Sequence, residues 1–246
     1  MTIDGAWLKG RIATVATPWA DSPGVSRLRG LLQEWAVGFS ERRPDVESSA
    51  VVWPRRGVLH DEAASFLRAL DSGFVTVDGA GFFVVPTVRA KTPAGRYALL
   101  SKSGAGVSIN LEYLIQVGAT AELVLDHGWS PNAIDFERGE FDALALGEDG
   151  RALLVMEAKA RVTGPDSVEK LLTSWMSMAD DPGPDLNNNA GRKYRDLQKR
   201  CESGPVVVWL VAAGARWTLV AELSDGSVYL TPVSSPTPEL CRAIQG

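Results

Sequence analysis

The chain has 246 residues, a formal net charge of −5 at pH 7 and two cysteines, Cys201 and Cys241. This length can bury one large core or two modest cores, and an apolar fraction of 45% is typical of a globular chain. Two cysteines exclude a disulfide framework and a cysteine-based zinc site, and the negative charge argues against a protein that coats nucleic acid without specificity.

No segment of the sequence has the character of a membrane or export element. The longest apolar run, Val206–Ala213, is too short to span a bilayer. Met1–Ala20 carries charged and polar residues where a signal peptide needs an apolar core. The sequence therefore predicts a cytoplasmic protein with no membrane partner, and its excess of arginine over lysine indicates a GC-rich bacterial genome.

The first hundred residues alternate helical and extended patterns. Phe74–Val85 is typical of a hairpin around a turn at 78–81. A short helix followed by a hairpin fits a winged-helix wing or a plain α+β scaffold, and base rates favour the scaffold. Turn-rich stretches at 91–95 and 102–106 predict a boundary near residue 105, with an N-terminal α+β region at 1–105. Apolar side chains at helical spacing predict two helices here, Ser26–Ser40 and Asp61–Leu70.

The second region, 106–246, has a clearer order of elements. A helix, three strands, two helices and a strand are predicted, followed by a terminal hairpin around Asp225-Gly226. Asn110 is placed to cap the first of these helices. The predicted elements are Asn110–Asp126, Ala133–Glu137, Phe141–Leu146, Ala152–Ala160, Ser167–Met178, Gly191–Cys201, Val206–Ala213, Trp217–Leu223 and Ser227–Pro232.

The segment 140–161 predicts a β-hairpin with three charged side chains on one face. Asp149-Gly150 between apolar runs is the pattern of a two-residue type I′ loop, which would pair Glu148 with Arg151. Counting outward from that loop places Asp142 opposite Glu157. Lys159 then lies one step along the same face, because side chains on a strand repeat every two residues.

Two carboxylates forced together across a hairpin need a shared proton or a cation. A lysine beside them favours a polarised water over a structural calcium site, so the pattern predicts a metal-dependent hydrolytic site. The alternative is a solvated charged face. The strand Ala152–Ala160 is nearly all apolar and expected to be buried on both sides, which favours the functional interpretation.

The element order, together with Asp142 and Glu157-Ala158-Lys159, resembles the PD-(D/E)xK nuclease superfamily over about residues 106–215. The resemblance implies an α/β chain with a restriction-endonuclease-like fold, a mixed central sheet flanked by helices and preceded here by the smaller α+β region. It also implies Mg²⁺-dependent phosphodiester hydrolysis, with Mn²⁺ as a substitute.

The resemblance assigns roles to individual residues. Asp142 and Glu157 match the metal-binding carboxylates of the family, and the carbonyl of Ala158 matches an additional ligand. Lys159 matches the lysine that orients or activates the attacking water, and a lysine near Mg²⁺ is pushed toward its neutral form. Glu112 fits a further glutamate that many members carry on the preceding helix.

Two features qualify this match. The helix macrodipole alone favours a glutamate such as Glu112 in a first turn, and Glu122 is the less favoured substitute for its role. Gln116 lies one turn on along the same side of the helix. The chain also has Glu140-Phe141 where some relatives have a proline before the first aspartate.

Basic residues of the predicted helix Gly191–Cys201 are the best candidates for contacts to a phosphate backbone. The alternative is a solvated charged face. Arg42, Arg43, Arg55 and Arg56 extend this track on weaker grounds. The nucleic-acid-binding candidates are Arg192, Lys193, Arg195, Lys199 and Asn188.

The leading hypothesis is a Mg²⁺-dependent nuclease acting on DNA, with residues 1–105 serving recognition, dimerisation or regulation. Two rivals stay open. One is a nuclease fold that binds nucleic acid or a protein partner without cleaving. The other is a scaffold whose carboxylates are surface charges. Cutting of both strands at a single site would favour a homodimer.

Overall fold

A computed structural model of the chain describes residues 2–15, 22–54, 58, 60–91, 96–181 and 187–244. The helices in these ranges are α1 (Gly5–Ala13), α2 (Pro23–Glu41), α3 (His60–Asp71), α4 (Leu111–Leu125), α5 (Val168–Asp180), α6 (Asn189–Cys201) and α7 (Pro238–Ala243). The strands are β1 (Val51–Val52), β2 (Thr76–Val77), β3 (Phe82–Val84), β4 (Arg89–Ala90), β5 (Tyr97–Ala98), β6 (Leu100–Ser103), β7 (Gly106–Ile109), β8 (Ile134–Phe136), β9 (Ala143–Leu146), β10 (Ala152–Lys159), β11 (Val206–Ala212), β12 (Ala215–Ser224) and β13 (Ser227–Pro232).

A seven-stranded mixed sheet in the order β13-β12-β11-β10-β9-β8-β4 forms the centre of the molecule. β10 and β11 run parallel, as do β4 and β8, and the other neighbours are antiparallel. Every residue of β10 and β11 is buried. Their continuous apolar composition is the pattern expected for strands covered on both faces, and the mixed α/β class is confirmed.

Alternating residues of β10 and β11 belong to two separate apolar clusters. Met156 and Trp209 belong to the cluster that includes α2, α3 and α4 residues, whereas Val155 and Leu210 belong to the cluster that includes α5 and α6 residues. Because side chains on a strand alternate, Glu157 lies on the same face of β10 as Val155. Glu157 and Lys159 therefore lie on the face of β10 that is turned toward α5 and α6.

The N-terminal region packs against the second region and shares strand pairs with it. The small sheet β1-β7-β6 packs against α2, the small sheet β2-β3-β5 contacts α2 through the Phe82 and Phe39 rings, and β4 joins the large sheet by pairing with β8. The predicted hairpin at 74–85 is confirmed by the β2–β3 pair. Residue 105, the predicted boundary, lies in the turn between β6 and β7, and positions 92–95 of the preceding turn-rich stretch lie outside the described residues. One apolar cluster includes side chains from both sides of residue 105, for example Phe66 and Phe83 before it and Ile115 and Trp209 after it.

The hairpin loop at 147–151 differs from the predicted two-residue type I′ loop, and that prediction is wrong. Leu146 pairs with Ala152, and the N–H of Gly150 donates to the Gly147 carbonyl at 3.0 Å. Only Gly150 takes a positive φ, +80°, because Asp149 keeps an ordinary backbone and accepts the N–H of Arg151 at 3.0 Å. The Gly147 N–H donates to the Arg151 carbonyl at 2.8 Å, so the loop itself is the three residues 148–150, with Gly150 in the left-handed position.

A β-bulge in β10 restores the register that the longer loop displaces. The irregularity lies between Ala152 and Leu154, and beyond it Met156 pairs with Ala143. Continuing that count by one residue brings Asp142 beside Glu157, as the sequence predicts. The predicted neighbours are thus reached through two local deviations that cancel, a longer turn and a bulged strand.

Candidate functional site

A cleft of about 310 Å³ opens at the carboxyl end of β10. Its walls are the first turns of α4, the β8–β9 loop and the first turns of α6. Its lining carboxylates are Glu112, Glu137, Asp142, Glu157 and Asp166, and its ammonium groups are those of Lys159 and Lys193. The carboxylates outnumber the ammonium groups, so the cleft favours cations.

Asp142 is fixed by backbone contacts immediately before β9. Its Oδ2 accepts the N–H of Ala158 at 2.6 Å, and its own N–H donates to the Met156 carbonyl at 3.1 Å. Burial, followed by the neighbouring carboxylate of Glu157, raises the pKa of Asp142 well above its ordinary value. The ammonium groups of Lys193 and Lys159 and the Ala158 N–H oppose that rise without cancelling it.

Glu157 is fully buried and lies between two lysines. Lys159 Nζ is 2.7 Å from Glu157 Oε1, and Lys193 Nζ is 2.6 Å from Oε2. A buried carboxylate is strongly disfavoured unless it is paired, and here one lysine on its own strand and one on α6 supply that pairing. The predicted proximity of Asp142, Glu157 and Lys159 is present in the structure.

Lys159 also contacts Glu112, the glutamate proposed on the preceding helix. Lys159 Nζ lies 3.0 Å from Glu112 Oε1. Two residues before Glu112, Asn110 caps α4 by accepting the Tyr113 N–H at 3.3 Å. Burial by itself lowers the pKa of Lys159, but the carboxylates of Glu157 and Glu112 outweigh it, and the net pKa is raised. Glu122 lies elsewhere, at the last turn of α4, where it pairs with Arg216.

Lys193 lies inside the cleft, away from the exposed face of α6. It is 5% exposed, donates to the backbone carbonyl of Glu140, and places its ammonium 5.4 Å from the centroid of the Phe141 ring.

The other basic candidates have different positions. Arg192, Arg195 and Lys199 are exposed on α6, and Asn188 caps that helix by accepting the Gly191 N–H at 2.8 Å. Arg55 and Arg56 lie outside the described residues. The ion-pair partners of Arg42 and Arg43 are Asp78 and Asp45.

The sequence did not identify Glu137 as a site residue, and it did not predict the hydrogen bonds of Gln116. Gln116 donates from Nε2 to Glu137 Oε1 at 2.9 Å and to the Asp142 carbonyl at 3.0 Å, while the Glu137 N–H donates to that same carbonyl at 2.8 Å. Glu137 has a φ of +56°, a backbone conformation that costs a non-glycine residue about 1 kcal/mol or more and is often found at functional sites. A glutamine in the otherwise apolar stretch 114–119 was the available signal.

The oxygen donors of the cleft fit a hard divalent cation such as Mg²⁺. Asp142 and Glu157 could hold it, and so could the carbonyl of Ala158, which points to the same side of the strand as the N–H that binds Asp142. No group of three or more histidine, cysteine, aspartate or glutamate side chains in the described ranges has a metal-ligating arrangement. A metal held here would therefore take part of its coordination from water and substrate.

No helix in the described part of the chain has the length and apolar character needed to cross a membrane. Comparison with protein-family models, with curated proteins and with solved structures found no match.

Proposed function

We propose that this chain is a Mg²⁺-dependent nuclease that hydrolyses phosphodiester bonds, with DNA as its substrate. The observation that carries the proposal is the placement of Asp142, Glu157 and Lys159 together in one cleft at the end of two paired strands. Two carboxylates and a lysine in a cleft that favours cations have a direct use in hydrolysis of a phosphodiester.

The connectivity around the cleft supports the same proposal. Helix α4 leads into the antiparallel strands β8, β9 and β10, helices α5 and α6 follow, and β11 returns parallel to β10. This is the order on which the resemblance to PD-(D/E)xK nucleases rests, and in a restriction-endonuclease-like fold it brings the carboxylates and the lysine to one sheet edge.

The proposal gives each side chain a role. Asp142 and Glu157 would bind the metal, with Mn²⁺ able to replace Mg²⁺. Lys159 would orient the attacking water, and Glu112 Oε1, which lies 3.0 Å from the Lys159 ammonium, holds that ammonium in the cleft. Gln116 fixes the backbone of Asp142. A bound divalent ion lowers the pKa of its water and neutralises charge on the phosphate.

The exposed cations of α6 provide a surface for the rest of the substrate. Arg192, Arg195 and Lys199 lie on the helix whose first turns form one wall of the cleft, so a strand whose phosphate enters the cleft passes close to them. In this proposal the region before residue 105 serves target recognition, dimerisation or regulation, and the protein acts in the cytoplasm.

One observation favours a second candidate, a nuclease-like module that binds nucleic acid or a protein partner without cleaving. Both oxygens of Glu157 lie within ion-pair distance of a lysine, at 2.7 and 2.6 Å. A carboxylate neutralised in this way is a poorer metal ligand than a free one.

A cleavage assay separates the two candidates. Supercoiled plasmid, linear duplex and single-stranded DNA are incubated with the purified chain and 5–10 mM Mg²⁺ or Mn²⁺, roughly the excess needed to saturate a weak site. We expect wild-type cleavage that EDTA abolishes, and a loss of at least about 10³-fold for Glu157→Gln because the second metal carboxylate is removed.

The matched control is Glu239→Gln, the same chemical change at an exposed residue of α7 that pairs only with Arg242 among the contacts described. It should retain wild-type cleavage. Equal residual nicking by wild type and Glu157→Gln would assign that nicking to a contaminant and reject the nuclease. DNA binding without cleavage in both metals would favour the binding module.

A further inference from the structure

The ammonium of Lys193 occupies a position with the surroundings of a bound cation. It lies 2.6 Å from Glu157 Oε2 and donates to the Glu140 carbonyl, so a side-chain oxygen and a backbone oxygen converge on it. Lys193 therefore contacts one of the two carboxylates that the proposed nuclease would use for its metal, and it lines the same cleft as the other, Asp142.

Burial of this lysine needs an explanation beyond packing. Lysine is rarely buried to 5% exposure, and α6 carries several cations that stay in solvent. The Phe141 ring and the Glu140 carbonyl hold the head of Lys193 in place, and both belong to the segment that leads into Asp142. The loop before Asp142 and the first turns of α6 thus form a binding position for one positive charge.

A divalent cation and the Lys193 ammonium would compete for the negative charge of Glu157. Metal coordination by Glu157 would place two positive charges of the ion a few ångströms from the Lys193 ammonium, and their repulsion is strong in a partly dry cleft. Lys159 has a second carboxylate, Glu112, to which its ammonium can stay paired. Glu157 is the only side-chain carboxylate contact of Lys193 among those described, so Lys193 is the group that a metal would displace.

We propose that Lys193 is a resident counter-cation of this site, which neutralises Glu157 in the metal-free protein and leaves it when a divalent cation binds. The inference rests on the proposed function in taking the same site to bind a metal. The displaced ammonium stays attached to α6 at the wall of the cleft, where a substrate phosphate would offer it a new partner. Lys193 is then a positioning residue that makes metal binding depend on displacement of an internal cation.

Calorimetric titration of the full chain with Mn²⁺ tests this competition. Lys193→Met removes the ammonium, keeps an unbranched side chain against the Phe141 ring, and should tighten Mn²⁺ binding about tenfold or more. Lys170→Met, at an exposed residue of α5, removes the same charge away from the cleft and should change the affinity less than twofold. Unchanged or weaker binding by folded Lys193→Met would overturn the proposal.

A second measurement uses the wild-type chain, because Lys193→Met leaves a buried glutamate with one partner fewer and could fail to fold. Lysine acetylation is followed by mass spectrometry with and without saturating Mn²⁺. Lys193 should be protected without metal and several-fold more reactive with it, while Lys170 reacts equally in both. Continued protection of Lys193 in protein with bound metal overturns the proposal, as does absence of metal binding by both wild type and Lys193→Met.

These outcomes are distinct from those of the nuclease proposal. Metal binding with displacement of Lys193 but no DNA cleavage would reject the nuclease and support the counter-cation. Cleavage by wild type without tighter Mn²⁺ binding by Lys193→Met would support the nuclease and reject the counter-cation.

Discussion

Two buried glutamates, one near each end of α4, are paired with different basic residues, two lysines in one case and an arginine in the other. Glu157 lies close to the first turn of α4 and is paired with two lysines. Glu62 packs near the last turn, where Arg216 contacts it and Glu122 together. Both glutamates are at most 1% exposed, so each depends on neighbouring cations to remain in the folded core.

Hydrogen bonds fix the geometry of the Arg216 cluster, which consists of Arg216, Glu62 and Glu122. The guanidinium donates to both oxygens of Glu62, to both oxygens of Glu122 and to two backbone carbonyls, and the Gly214 N–H donates to Glu62 at 3.1 Å. Arginine donors in a planar fork fix such a geometry, and lysine ammonium groups can exchange partners more easily. The difference indicates a structural role for the Arg216 cluster, and it agrees with the metal-binding role that we propose for Glu157 and its two lysines.

Arg216→Met should give the largest stability effect. It removes the cation from Glu62 and Glu122, so we expect a loss of about 3 kcal/mol in the free energy of unfolding at pH 7. Burial already raises the pKa of Glu62 despite Arg216. A raised folded-state pKa means that stability is lost as pH rises through it, so the deficit of the variant should shrink toward acidic pH.

Urea unfolding between pH 4 and 8 measures this deficit. Arg242→Met is the matched control, since Arg242 and Glu239 are exposed and their pairing should contribute less than about 0.5 kcal/mol. Cleavage per folded molecule should stay within about threefold of wild type in both variants. A deficit independent of pH would contradict the assignment of the loss to ionised Glu62.

Asp142→Asn should lower activity and raise stability, whereas Arg216→Met should lower stability and leave cleavage nearly unchanged. The amide keeps an acceptor for the Ala158 N–H and removes a charge beside Glu157, so we expect about 1 kcal/mol of stabilisation in metal-free protein at pH 7. Because the folded-state pKa of Asp142 is raised, wild type loses stability as pH rises through it. The gain should therefore disappear in acid.

Thermal unfolding in EDTA across the same pH range measures this gain, and Asp126→Asn, at an exposed partner of Arg68, is its control. Saturating Mn²⁺ should stabilise wild type and leave Asp142→Asn unchanged. Equal stabilisation of both proteins by metal would place the ion elsewhere.

The smallest effect is expected on the exposed face of α6. Replacing both Arg195 and Lys199 by glutamine should weaken DNA binding a few-fold and reduce the slope of log affinity against log salt by up to about 2, because each phosphate contact contributes about 1. Fluorescence anisotropy from 50 to 200 mM salt measures the slope. Lys170→Gln should leave it unchanged, and an unchanged slope in the double variant would remove α6 from the DNA surface.

Local patterns were sufficient for most elements of the second region. Asp225-Gly226 forms the predicted hairpin turn with positive φ at both residues, +49° and +78°, and Ser167 caps α5 at the start of the predicted helix. The same dipeptide at Asp149-Gly150 forms a different turn. The bulge that compensates for it has no local signal, because its position depends on the packing of β10 between β9 and β11.

By itself, the sequence determined the apolar strands, the helix caps and the spacing that brings Asp142, Glu157 and Lys159 to one face. These features depend on backbone preferences and side-chain alternation over short distances. Only the tertiary structure decided the positions of Glu137 and Lys193. Glu137 is reached through a left-handed backbone and a glutamine on α4, and Lys193 through the packing of α6 against the sheet. Such contacts join residues far apart in the chain, and the requirement that a buried charge be paired becomes specific only once the fold has buried it.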